Sequence, residues 1–100
     1  MTIGYKSCGN CIVVIKIESD TMTNQCRSNI YDKLHAHYRA KKVEIVKIYN
    51  KDDNSEIHSI YNTIYHKRIR YRVGEIIDVH DYEEDPNVVC GPGIHYFLSE

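Results

Sequence analysis

Two runs of β-branched residues organise the hydrophobic pattern of the chain. Ile12-Val13-Val14-Ile15-Lys16-Ile17 is apolar on both faces at its start, which suits a strand buried in the middle of a sheet. Val43-Glu44-Ile45-Val46-Lys47-Ile48-Tyr49 is a second run of the same kind, and the polar cluster Asn50 to Ser55 must end it in a turn. Ile69-Arg70-Tyr71-Arg72-Val73 alternates with period two, as a strand with one solvated face does. Gly74 interrupts that run and Glu75-Ile76-Ile77-Asp78-Val79 resumes it. A tight turn at Val73-Gly74 predicts Arg72 opposite Glu75, a favourable cross-strand pair. A last strand, Ile94 to Leu98, is entered through the turn Gly91-Pro92-Gly93.

Between the first two runs, Cys26, Ile30, Leu34 and Tyr38 recur every fourth residue, with Ser28 or Asn29 available as a cap. This stripe predicts a helix within Thr23–Tyr38, either filling that register or as a short helix inside a long loop. The expected fold class is therefore α+β: a mostly antiparallel sheet of about five strands with one helical insertion. A chain of 100 residues has the length of one domain, residues 1–100, and shows no internal repeat or low-complexity linker.

Composition narrows the function classes. The hydrophobic fraction of 42% and charged fraction of 27% belong to a globular chain rather than a disordered one. Ile and Tyr dominate, with one Phe and no Trp, beside abundant Asn and Lys; this is the residue usage of an AT-rich genome. A net charge of -1 supplies no global field for nucleic acid or an anionic membrane. No apolar stretch approaches the roughly 20 residues that span a bilayer. Met1 to Lys16 lacks the order of a secretory signal, so the expectation is a soluble intracellular protein whose four cysteines are reduced or bind metal.

The C-terminal third carries a distinctive series: Tyr71-Arg72-Val73-Gly74-Glu75, an acidic stretch from Asp78 to Asp85, then Cys90-Gly91-Pro92-Gly93-Ile94-His95-Tyr96-Phe97. It resembles an uncharacterised domain of giant DNA viruses and phages that often accompanies pentapeptide repeats. The signature residues are Tyr71, Gly74, Cys90, Gly91, Gly93, His95 and Phe97, with Tyr96 standing where Phe is usual. Lys6 and Cys8 before the first strand, His37-Tyr38-Arg39-Ala40 before the second, and Ser59 match more loosely; Tyr38 replaces a usual Cys. The resemblance implies a viral source, with the host cytoplasm or the virion as location. It implies no activity. Such domains usually continue past Ser99-Glu100 into a short helix, so this chain is a short member or a trimmed domain.

Three clusters offer chemistry. Cys8-Gly9-Asn10-Cys11 has the spacing of a zinc knuckle, with Cys26, Cys90, His80 and His95 as the options for completing it. Without a second ligand pair the motif is half built, and two small packed thiols before a strand are the simpler reading. Cys90 and His95 beside Gly91 and Gly93 pair a thiol with an imidazole and free backbone amides, the parts of a nucleophilic site. No third orienting group lies nearby, so a tight turn feeding a core strand is favoured. Arg68, Arg70 and Arg72 share one strand face, with Tyr71 available to stack a base. The near-neutral total and the acids at Glu75 and Asp81–Asp85 argue for a solvated face instead, and against nucleic acid as a partner. The acidic run lacks the spacing of a calcium loop.

The resulting expectation is a non-enzymatic protein-interaction or assembly module. Its partner is another protein or a second copy, through a strand edge or a Tyr-rich face, with no cofactor and no membrane. A zinc-supported nucleic-acid-binding domain stands second, and a Cys/His-dependent enzyme third.

Overall fold

The computed structural model describes residues 1–23, 25, 38–64, 67–79 and 93–99, with backbone alone for 62–64 and 67–69. Eight strands occupy them: β1 (Thr2–Cys8), β2 (Cys11–Ile17), β3 (Tyr38–Ala40), β4 (Lys42–Asn50), β5 (Ser59–Ile64), β6 (Lys67–Arg72), β7 (Ile76–Asp78) and β8 (Ile94–Tyr96). All pairings are antiparallel, in the order β1-β2-β4-β7, with β3 against β8 and β5 against β6.

β1 and β2 form a hairpin through the two-residue turn Gly9-Asn10. Gly9, first of the two central residues, has φ +60°, the positive value a type II′ turn demands there. β3 and β4 are one extended stretch interrupted at Lys41; its first part pairs with β8 and its second with β2. Phe97, just past β8, exchanges two backbone hydrogen bonds of 2.8 Å with Tyr5 in β1. The path β4–β2–β1–β8–β3 thus returns to the strand on which it began. This is a small closed ring, the device by which barrels remove exposed sheet edges.

Side chains of alternating parity fill the ring. Val13, Ile15 and Ile17 of β2 meet Val43, Ile45 and Ile48 of β4, with Tyr38, Ala40, Ile94 and Tyr96 from β3 and β8. The pairing of β2 with β4 slips between Val14 and Ile15, from Lys47 to Ile45, leaving Val46 as an extra residue. Val46 and Lys47 are both exposed. Without that bulge, strict alternation would turn Ile48 out to solvent.

Tyr96 lies directly over Gly4. A Cβ at position 4 would stand 2.6 Å from Tyr96 Cδ2 and 3.2 Å from Ile15 Cγ1, so only hydrogen fits there. Tyr96 also packs against Tyr38, ring centroids 5.9 Å apart and tilted by 38°, and its hydroxyl donates to Gln25 Oε1 at 3.0 Å. The β5–β6 ribbon contributes Tyr71 to the core. It is attached through Gly74 N–H to the Ile45 carbonyl (2.8 Å) and Ile45 N–H to the Glu75 carbonyl (2.9 Å).

Two expectations are corrected. The fold class is not α+β: the described residues are strands and connections, with no helix and no helical insertion among them. Both ends of the expected helix are in β pairings, since Thr23 bridges to Ala40 and Tyr38 opens β3. A spacing of four keeps residues on one face of a helix and equally on one face of a strand, so the stripe did not discriminate between them. Cys26, Ile30 and Leu34 lie outside the described residues. The second correction concerns β6 and β7, which do not form a hairpin. They pair with β5 and β4, and Arg72 meets Glu75 only within the turn, at 3.5 Å.

Gly4→Ala is expected to destabilise the protein by about 1–3 kcal/mol, because the methyl group must displace a ring held on both sides. Tyr96→Phe keeps the ring and loses one hydroxyl bond, an expected cost of about 1 kcal/mol. Urea denaturation of both variants checks the order; a Gly4→Ala protein as stable as the parent would show that Tyr96 does not seat there.

Candidate functional site

The sequence-identified cysteine motif forms the tip of the β1–β2 hairpin. Cys8 and Cys11 are direct cross-strand partners on the inward face, both free thiols and both buried. Cys8 Sγ donates to the Tyr61 carbonyl at 3.5 Å, which ties the tip to β5. Lys6, two residues back on the same face, is inside the ring at 8% exposure and donates from Nζ to the His95 carbonyl at 3.3 Å. Burial holds the Lys6 ammonium below its ordinary pKa, with Cys8 acting in the opposite sense. Burial likewise pushes the Cys8 thiol up, opposed by Lys6 and reinforced by Cys11.

Zinc and nucleophilic chemistry both need the thiolate, which desolvation disfavours. Among the described residues no three His, Cys, Asp or Glu side chains gather closely enough to hold an ion, so His95 does not complete a set with Cys8 and Cys11. Cys26, His80, Cys90 and Gly91 lie outside the described residues.

His95 sits in β8 opposite Arg39 of β3. Arg39 is fully buried, and both residues are engaged in contacts within the protein. Sequence reasoning did not single out Arg39 or the burial of Lys6, because a lone cation in a short segment carries no periodic signal. Of the signature residues, His95 lies in β8 with Gly93 and Phe97 flanking it, and Gly74 has φ +91° at the step from β6 to β7. Tyr71 is a core residue at 0% exposure and is not available to stack a base.

The basic face is present with different membership. Arg70 and Arg72 are exposed on one side of β6, and Tyr61 of β5, half exposed at 52%, stands opposite Arg70. Glu75 lies within 3.6 Å of the Arg70 guanidinium and 3.5 Å of that of Arg72. Arg68 lies in β6, and its side chain is outside those described.

The outward face of the ring is a further surface. The ladder register places Phe97, Tyr5, Val14 and Lys47 in one row across the strands and Ser7, Ile12 and Tyr49 in the next. Ile3 lies beside Tyr5 on β1 and Val46 beside Lys47 on β4, so seven apolar or aromatic side chains share this side. Lys47 Nζ lies 5.4 Å from the Tyr49 ring centroid, and Lys51 donates to Ser7 Oγ at 2.6 Å. No helix among the described residues is long and apolar enough to cross a membrane.

Lys6 makes the stability depend on pH in a definite direction. Its folded pKa is depressed, so the unfolded chain binds more protons between the folded value and 10.5, and stability rises with pH across that window. Lys6→Met should abolish that rise and increase stability at pH 7 by about 1 kcal/mol, as replacement of a buried charge by an apolar isostere commonly does. Urea titrations of parent and variant from pH 7 to 10.5 test this by difference, because the raised Cys8 thiol contributes a fall above pH 9 in both proteins; identical slopes refute it. Alkylation of the native protein followed by peptide mapping should leave Cys8 and Cys11 unmodified at neutral pH and label both in urea.

Searches of the curated proteins and of the solved structures returned no match to this chain. A family profile does match, over residues 1–100, and the chain belongs to that family, described as a family of unknown function (DUF5758).

Proposed function

We propose that the chain is a non-enzymatic assembly module that pairs with a second copy of itself through the outward face of its strand ring. The single observation carrying this reading is the apolar surface on that face, where Ile3, Val46 and Phe97 are exposed and Tyr5, Ile12, Val14 and Tyr49 are half-buried beside them. Scattered exposed apolar residues are ordinary on a protein surface, whereas a contiguous patch marks a contact site. Tyr and Phe are the residues that interfaces favour.

A second copy is the occupant for reasons of charge. The face carries Lys47, and its hairpin end carries Lys51 on Ser7 and Asp52 on Asn10, so a twofold-related copy can set cation against anion. The net charge of -1 adds little repulsion between copies. The resemblance to viral domains supports a role in a virus-encoded protein, inside the host cell or the virion. The Arg70 and Arg72 side supports nucleic-acid binding less well, because Glu75 already faces both guanidinium groups.

Sedimentation equilibrium of the full chain, up to about 100 μM, should give the dimer mass. Val14→Arg and Phe97→Ser, each with a native circular dichroism spectrum, should sediment as monomers, while Tyr61→Ser on the ribbon should remain dimeric. A monomeric parent, or folded face variants that still dimerise, overturns the reading.

A further inference from the structure

A cavity of about 400 Å³ opens at the end of the ring away from the Gly9-Asn10 turn, a size suited to a small ligand. Its floor is the outward side of the sheet: Lys16 of β2, Lys42 and Glu44 of β4, and Ile76 of β7. Its wall is the segment that follows β2, with Asp20 and Met22. That wall is fixed by backbone bonds, Thr21 N–H to the Glu18 carbonyl at 3.0 Å and Lys41 N–H to the Met22 carbonyl at 2.9 Å. Ile76, 61% exposed, is the most open large apolar side chain after Met1 among the described residues, although it lies next to Glu44 in the register.

The charges of the lining divide into two groups. Lys16 pairs with Glu18 at 3.3 Å, and Lys41 with Asp78 at 2.7 Å. Lys42, Glu44 and Asp20 make no ion pair among the described residues. What the cavity offers is therefore two carboxylates and one ammonium, set beside the apolar surfaces of Ile76 and Met22. Lys42 and Glu44 are two residues apart on one strand face, about 7 Å along the strand, so they are fixed at separate points instead of neutralising each other.

We propose that this cavity binds a basic α-amino acid, free or as the end of a peptide. The ligand's carboxylate meets Lys42, its two cationic groups meet Glu44 and Asp20, and its methylene chain lies along Ile76 and Met22. The complement is one of number and sign: two cations and one anion on the ligand face two anions and one cation on the protein. A neutral side chain leaves one of the two carboxylates without a partner, and that loss is the origin of selectivity. The site lies at the opposite end of the sheet from the Ile12–Tyr49 row and meets the face proposed for self-association only at its edge, where Lys16 stands opposite Ile3.

The test is a titration of the isotope-labelled full chain with L-lysine, followed by amide chemical shifts, against potassium chloride at matched ionic strength. Saturable shifts centred on Thr21, Met22, Lys42, Glu44 and Ile76 are expected. Norleucine, which lacks the side-chain ammonium, and lysinamide, which lacks the carboxylate, should each bind about tenfold more weakly. Glu44→Gln should reduce L-lysine affinity by a similar factor, and Lys42→Met should remove the preference for L-lysine over lysinamide. Shifts that track ionic strength alone, norleucine binding as well as L-lysine, or affinity unchanged in folded Glu44→Gln would each overturn the proposal. Using the Phe97→Ser variant, whose substitution adds no charge and lies off β2, as a second host separates this outcome from the oligomeric state.

Discussion

The contact on which the architecture rests is the closure between the two ends of the chain. Two backbone bonds of 2.8 Å join Tyr5 to Phe97, and the ring of Tyr96 occupies the space that Gly4 leaves empty. Neither half is effective alone. The bonds need the strands at hydrogen-bonding distance, and the ring permits that distance only because position 4 has no side chain. Once closed, the ring buries Tyr38 and Ile94 from above while β2 and β4 supply the aliphatic floor. The outward row Phe97–Tyr5–Val14–Lys47 is a product of the same register, since each inward residue fixes the facing of its neighbours.

Closure also explains the chemistry of the interior. β1 lends the ring Gly4, Lys6 and Cys8 in place of branched aliphatics, because Tyr96 takes the volume that larger residues would fill. A cation in that position is a cost, tolerated where a carbonyl is within reach, and His95 provides one at 3.3 Å. The thiols at the hairpin tip are held in the same dry environment. Their arrangement follows from being the last inward pair before a tight turn, and their motif spacing is the geometry of that turn.

The strands that were legible in the sequence are those with a clear apolar code: β7 and β8 fall within runs read from the hydrophobic pattern, and β2, β4 and β6 overlap such runs and extend one or two residues beyond them. β1 was not, because its inward residues are Gly, Lys and Cys; β3 was not, because three residues are too few to show a period. β5, Ser-Ile-Tyr-Asn-Thr-Ile, mixes polar and apolar positions without strict alternation. Pairing was harder to read than strand existence. The Val73-Gly74 turn looked like a hairpin and is instead a step between two ladders, a distinction made by distant partners. The candidate sites showed the same divide: the spacing of Cys8 and Cys11 was visible, but the burial of Tyr71 and the exposure of Tyr61 were set by the three-dimensional neighbours.

The bond between Tyr5 and Phe97 has a consequence for biosynthesis. β1 leaves the ribosome some ninety residues before Phe97 and must wait for it before its free side is paired. Topologies with such distant partners fold slowly, because loop closure must precede the contacts that stabilise it. In the interval the β1–β2 hairpin exists with an open side and an apolar inner surface, the state most prone to pairing with another nascent chain. Gly4 and Lys6 on that inner surface lower its appetite for such errors: one is a weak strand former, the other a charge pointing where an intruding sheet would have to pack. Residues that look like defects in a finished core are then safeguards for the unfinished one.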